Sequence, residues 1–241
     1  MKVVAALCAV ACLATICQRV DAATFDDTHP AKFNVHYLTR DGRDGYNTAA
    51  TPGRLSVTAP RSNGGGNTRV IIYPPAQPMS VDQQACATWS AQAGINVQQG
   101  IALRVRHDIE GSGRWRAVTV MKNVMWGAHW NFNVITWDTR AGYRWRNHGS
   151  VSLPQVFWPN HVLAPLPWRV CARVQGDLVT VKAWRTSEVE PAWGDKSHGG
   201  TVRIPSEWTY SGKSGWYLGH VPPGGSATMQ DLVADRVPSK P

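Results

Sequence analysis

Beyond its first two dozen residues the chain alternates apolar and polar positions in short runs, the pattern of half-buried β-strands. The clearest pair of runs is Trp168-Arg-Val-Cys-Ala-Arg-Val-Gln175 and Leu178-Val-Thr-Val-Lys-Ala-Trp184. Gly176-Asp177 between them is a two-residue turn with glycine first, as a type II′ hairpin prefers. That turn fixes the register. Pairing Gln175 with Leu178 sets Val174, Ala172, Val170 and Trp168 opposite Val179, Val181, Ala183 and Arg185, an almost wholly apolar face. The other face sets Arg173, Cys171 and Arg169 opposite Thr180, Lys182 and Trp184, and is mixed enough to be wet or ligand-lined.

Weaker runs predict strands at 33–39, 54–58, 68–73, 81–89, 99–107, 114–121, 130–138, 215–220 and 226–237, with 143–145 continuing a sheet. Within 99–107, Ile101, Leu103 and Val105 are expected on one face and Ala102, Arg104 and Arg106 on the other. Residues 40–53, 149–167 and 186–206 read as turn-rich or irregular connections. No segment carries a 3.6-residue period, and neither an internal repeat nor a second domain boundary shows. About twelve short strands imply an all-β sandwich or barrel.

The start of the chain is of another kind. Lys2, the apolar run 3–16 and the small-residue stretch Val20-Asp21-Ala22 predict a cleaved secretory signal peptide over 1–23, with one domain over 24–241. A lipoprotein signal does not fit, because Ile16 precedes Cys17 where a small residue is wanted. The apolar run is short for a bilayer and no later run replaces it, so no membrane span is expected. Cys8, Cys12 and Cys17 leave with the signal. The remaining pair, Cys86 and Cys171, is expected to form one disulfide, with a reactive thiol or a metal ligand as the alternatives.

Composition supports β structure, since 22 Gly, 16 Pro and 12 Trp are spread among many Val, Thr and Ile. The net charge is +9, and loss of Lys2, Arg19 and Asp21 with the signal leaves +8. A basic exported protein suits acidic polymers or an anionic envelope surface. Its arginines are scattered and form no basic stripe, so no nucleic-acid partner is expected.

The hairpin 168–184, Glu190-Pro-Ala-Trp193, Ser214-Gly-Trp-Tyr-Leu-Gly219 and the run 227–233 resemble the closing half of concanavalin A-like lectin/glucanase jelly rolls. Those domains read there as a strand, a "G-D" turn, a "V-K-x-W" strand, an "E-P-x-W" loop, a "G-x-x-G" strand and an "f-D-d" closing strand. The likeness spans residues 99–237, and Phe25-Asp26-Asp27 suits the strand that pairs with the last one. It implies a two-sheet antiparallel jelly-roll sandwich and a glycan as the ligand class. It does not choose between a binding module and a glycoside hydrolase.

Retaining hydrolases of that family present two glutamates on one strand. This sequence departs from the pattern. Glu110, Glu188, Glu190 and Glu207 are its only glutamates, and each fits a solvated turn or loop position. A pair assembled from separate strands, Glu110 or Glu207 with an aspartate, is the hydrolase alternative. His129, His148, His161, His198 and His220 show no metal or triad spacing, and no Gly-x-Ser-x-Gly occurs. Asp41-Gly-Arg-Asp44-Gly and Asp26-Asp27 suit ordinary turns better than calcium, so neither metal nor cofactor is expected. Asp231 alternates with Met229 and Val233, which points it inward; the plainer reading is an acid near a bulge, satisfied by backbone donors.

Tryptophan carries the strongest hint. Trp89, Trp168 and Trp216 are assigned to the core, whereas Trp126, Trp130, Trp145, Trp158, Trp193 and Trp208 have polar neighbours. Flat rings stack on the C–H faces of sugars, while Asn, His and Arg bond hydroxyls or acidic substituents. Trp126, His129, Trp130, Arg144, Trp145 and His148, with Arg146 beside them, make a candidate glycan-binding wall on a concave sheet face. The plainer reading is that these rings fill the space between two sheets. The expectation is a secreted, monomeric protein that binds an acidic or envelope polysaccharide. A glycoside hydrolase and an exported protein-interaction domain are the alternatives.

Overall fold

The Gly176-Asp177 turn closes its hairpin as the sequence requires. Gly176 takes φ +55°, the left-handed value of the first central position. The strands pair from Gln175 opposite Leu178 to Trp168 opposite Arg185 without a slip. These come from a computed structural model that describes residues 33–41, 44–51, 53–62, 66–107 and 113–237. The expected signal peptide at 1–23, Asp26-Asp27 and Glu110 lie outside the described residues.

In chain order the strands are β1 (Asn34–Thr39), β2 (Asn47–Thr51), β3 (Arg54–Thr58), β4 (Arg69–Tyr73), β5 (Gln83–Ala93), β6 (Gln98–His107) and β7 (Trp115–Lys122). Then follow β8 (Asn131–Asp138), β9 (Trp145–Ser152), β10 (Trp168–Gln175), β11 (Leu178–Arg185), β12 (Gly199–Arg203), β13 (Lys213–Gly219) and β14 (Ser226–Arg236). They form two antiparallel seven-stranded sheets. The first is ordered β1-β4-β13-β6-β7-β8-β9 and the second β12-β11-β10-β5-β14-β3-β2, a two-sheet jelly-roll sandwich. One turn of helix, α1 (Pro154–Phe157), and short 3-10 turns such as Ser206–Trp208 punctuate the connections.

The core lies between the sheets and is built by the two-residue side-chain period. Val170, Ala172 and Val174 of β10 and Val179, Val181 and Ala183 of β11 are all fully buried. Trp168 packs 4.3 Å from Phe157 and 6.2 Å from Trp89, ring centre to ring centre. Trp216 is fully buried too and donates from Nε1 to the Cys86 carbonyl at 2.9 Å. All three tryptophans assigned to the core are there.

The opposite face of the hairpin is covered rather than wet around its centre. Cys171 stands directly across from Cys86 on β5, and the two form the disulfide. Trp193 folds over it, with the Arg173 and Lys182 cations 4.4 and 4.8 Å from its ring. Lys182 is fixed in turn by Glu190 at 2.5 Å, and Arg185 by Glu188. Those two glutamates are therefore structural. Toward the turn, Asp82, Arg173 and Thr180 border a depression of about 340 Å³.

Three local expectations are corrected. Alternation along β6 breaks at Arg104, which takes φ +49° at a register shift between Leu103 and Arg106. Val105 consequently joins Ala102 on the outer face, and Arg104 is buried completely. Asp231 sits at a second such shift with φ +49°, points out, and accepts from Thr88 Oγ1 at 2.7 Å. Finally, β2, β12 and the second half of β9 occupy segments expected to be turn-rich or irregular.

Long side chains reach across the outer face of the first sheet. Arg69 on β4 and Trp137 on β8 are four strand spacings apart, about 19 Å on a flat sheet. The Arg69 guanidinium nevertheless lies 5.9 Å from the Trp137 ring. Beneath them Tyr217 is fully buried, stacked 6.4 Å from Trp137 and bonded to Gln98 Oε1 at 2.7 Å. The middle of this outer face is thus covered by its own side chains.

Candidate functional site

Space for a ligand opens instead at the β8–β9 edge. A cleft of about 620 Å³ is lined there by Thr136 and Asp138 of β8, residues 143–147 leading into and along β9, Ala141, and Glu207 with Trp208. That volume falls in the roughly 300–1,000 Å³ range of small-ligand sites. Alternation explains how one strand supplies two chemistries. Trp145 and Asn147 project on one side of β9 and Arg146 on the other, the bond from Asp138 N to Arg144 O at 2.8 Å keeps Arg144 in step with Arg146, and Tyr143 lies in the bend before the strand. Because β9 is the sheet edge, the cleft takes in both sides.

Burial separates floor from rim. Thr136 and Trp208 are buried, whereas Tyr143 is 78% and Trp145 42% exposed, their rings 5.9 Å apart. The 3-10 turn carrying Glu207 and Trp208 is held by two arginines through its carbonyls. Arg104 Nη1 donates to Trp208 O at 2.6 Å, and Arg116 Nη2 to Glu207 O at 2.8 Å. Arg116 also lies 4.3 Å from the Trp208 ring and 4.4 Å from that of Tyr210.

Two carboxyl groups border this cleft, and they differ. Arg114 grips both oxygens of Asp138, at 2.9 and 2.5 Å, and holds its pKa below the usual carboxylate range. Glu207 is exposed and its side chain has no hydrogen-bond partner among the described residues. Just behind, His148 occupies the bulge of β9 with Nε2 2.8 Å from Thr136 Oγ1. Burial and the neighbouring Arg146 lower its pKa, against an opposing pull from Glu207.

The candidate wall read from the sequence is divided. Asn131 pairs with Ser152 at one end of the β8–β9 hairpin and Trp137 with Trp145 at the other, six residues or about 20 Å away. Arg144 and Trp145, with His148 behind them, belong to the cleft end. Trp126, His129 and Trp130 belong to the far end. There Trp126 is 94% exposed on a 3-10 turn at φ +57°, and Trp130 leans on Trp158, ring centres 4.6 Å apart. His129 is half-buried beside Lys122, its pKa lowered by burial and by that lysine.

No family model and no curated protein matches the chain. Solved structures do. A Bacillus subtilis protein of unknown function with a galectin-like fold aligns over 88% of this chain and 93% of its own, at 10% identity and a TM-score of 0.54. The CBM2 module of the evolved Dit of Lactobacillus casei BL23 phage J-1 aligns over 89% and 95%, at 10% identity and a TM-score of 0.51. The likeness is one of fold, a two-sheet jelly-roll sandwich. On this jelly roll the cleft uses Thr136, Asp138 and Tyr143, which sequence reasoning did not single out. For Tyr143 the signal was present in Tyr143-Arg-Trp-Arg-Asn147, an alternation of ring or amide with cation. Asp41 and Asp44 are satisfied by Asn67 N and Ser62 Oγ, and no group of three or more potential metal ligands occurs among the described residues.

Proposed function

We propose that this jelly roll is an exported glycan-binding protein whose site is the cleft at the β8–β9 edge. One observation carries the reading. Trp145 and Tyr143 present exposed rings in a cleft that also holds Thr136, Asn147, Arg144, Arg146 and Glu207, and a ring beside hydrogen-bonding side chains is how proteins hold a sugar's C–H face and its hydroxyls together. The likeness to other jelly rolls supplies the fold alone. Export is supported by the signal-like pattern at 1–23 and by the Cys86–Cys171 disulfide.

Hydrolysis is the second reading, because Asp138 and Glu207 share the cleft. It is the weaker one. The Arg114 pair keeps Asp138 ionised, so Asp138 cannot serve as a proton donor, and Glu207 would lack a free carboxyl partner on that wall. Polysaccharide depletion run alongside reducing-end release separates the readings. A polymer retained by the mature chain without new reducing ends, and lost in Trp145→Ala, supports binding. New reducing ends that vanish in Glu207→Gln would make it a hydrolase.

A further inference from the structure

Charge in the cleft is unbalanced in a specific way. Arg114 is consumed by Asp138, and Arg116 by Glu207 O and the rings of Trp208 and Tyr210. Arg144 and Arg146 are both exposed, and neither guanidinium makes a hydrogen bond or ion pair among the described residues. Two residues apart on one side of an extended strand, their Cβ atoms stand about 7 Å from each other. Glu207 is the single carboxylate of the lining not already held by an arginine.

We infer that the ligand of this cleft is an anionic saccharide, its carboxylate or sulfate oxygens gripped by Arg144 and Arg146. The inference rests on the glycan reading above and adds the substrate class. Arginine is suited to the task, since its planar fork donates two parallel hydrogen bonds to one oxyanion. The sugar ring carrying that group lies against Trp145 or Tyr143 across the strand edge. Glu207, close to the pair, accepts from hydroxyls and penalises a second anionic group placed on its side.

The test uses matched charged and neutral polymers with the mature chain: polygalacturonate against its carboxyl-reduced form, and dextran sulfate against dextran. Binding is measured by calorimetry at two salt concentrations. The expected result is binding to at least one charged polymer, weaker with salt and at least tenfold weaker for its neutral partner. The Arg144→Gln/Arg146→Gln variant should lose it by a similar factor, and Arg144→Lys/Arg146→Lys should fall between it and wild type, because lysine keeps the charge but not the paired donors. Preference between the two charged polymers then tells carboxylate from sulfate. Equal binding of charged and neutral members, lost in Trp145→Ala, overturns the anionic assignment and leaves the glycan reading standing. Binding of polyanions that survives the double glutamine variant also overturns it, because the attraction then comes from the basic surface at large. Failure to bind any of the four polymers removes the glycan reading and this inference with it. Thermal unfolding of each variant checks that the cleft is intact.

Discussion

Lys122 Nζ sits inside the sandwich, 2.8 Å from Gln92 Oε1 and 5.9 and 5.8 Å from the ring centres of Trp89 and Trp168. The residue is 3% exposed, and no carboxylate pairs with it among the described residues. Ring faces and one amide replace water poorly, so burial pushes its pKa down to about 7.

A pH dependence of stability follows. The unfolded chain holds this proton up to about pH 10.4, whereas the folded chain releases it near 7. Between those values the unfolded state binds more protons, so stability rises with pH across the window and is flat in this term below it. Lys122→Met should therefore stabilise the protein at pH 6–7, by roughly 3 kcal/mol if the thioether chain repacks well. Urea midpoints from pH 6 to 10 check this. The variant must show a flatter profile than wild type, and parallel profiles would mean that Lys122 stays charged when folded.

Trp145 and Trp126 are exposed tryptophans toward opposite ends of the β8–β9 hairpin, whose ends stand about 20 Å apart. Trp145→Ala should weaken glycan binding at least tenfold with little change in stability, since the ring is half outside the fold. Trp126→Ala should leave binding within a factor of two. Titration of both variants with the same oligosaccharide is the measurement. A larger loss in Trp126→Ala would move the site to the far end of the hairpin.

Legibility in the sequence followed the physics of burial. Hairpin 168–185 was readable to the residue, because a two-residue turn fixes the register and a buried face enforces alternation. Strands β2, β9 and β12 were missed or cut short, and all three are sheet edges. Their exposed faces place no demand on apolar spacing, so Asn47-Thr-Ala-Ala-Thr51 and Gly199-Gly-Thr-Val-Arg203 look like loops. The same cause hid the site. Arg144 and Trp145 were found by composition, but the distance between them and Trp126 depends on how far the edge strand β9 runs. The flip at Arg104 was unreadable too, since a bulge answers to partners remote in sequence, here Gln83, Gly176 and Trp208.

The disulfide offers a prediction from loop length. Cys86 and Cys171 are separated by 85 residues, and closing a loop of that size constrains the unfolded chain by about 4 kcal/mol in the chain-entropy view. Cys86→Ala/Cys171→Ala should lower the urea midpoint accordingly. Adding reductant should bring wild type down to the variant and leave the variant unmoved. Because the pair lies on the face of the second sheet away from the core, oligosaccharide affinity under native conditions should not change.

Arg104 joins the core to the cleft, and its loss should be felt in both. Its guanidinium is fully buried and donates to three carbonyls, Val81 at 2.9 Å, Trp208 at 2.6 Å and Gly176 at 2.5 Å, with Asp82 4.0 Å away. Arg104→Met leaves those three carbonyls without their donor and removes the cation beside Asp82, at a cost of roughly 3–5 kcal/mol. It also frees the turn that presents Glu207 and Trp208. Arg116→Gln is the gentler probe of the same turn, since it removes the bond to Glu207 O and the two ring contacts while the rest of the core stays packed. The expected outcome is a small drop in Tm for Arg116→Gln with a glycan affinity lowered about tenfold. Arg104→Met should show a large drop in Tm and still bind weakly at temperatures where it remains folded. If Arg116→Gln bound glycan as wild type does, the Ser206–Trp208 turn would be a structural plug and not a wall of the site.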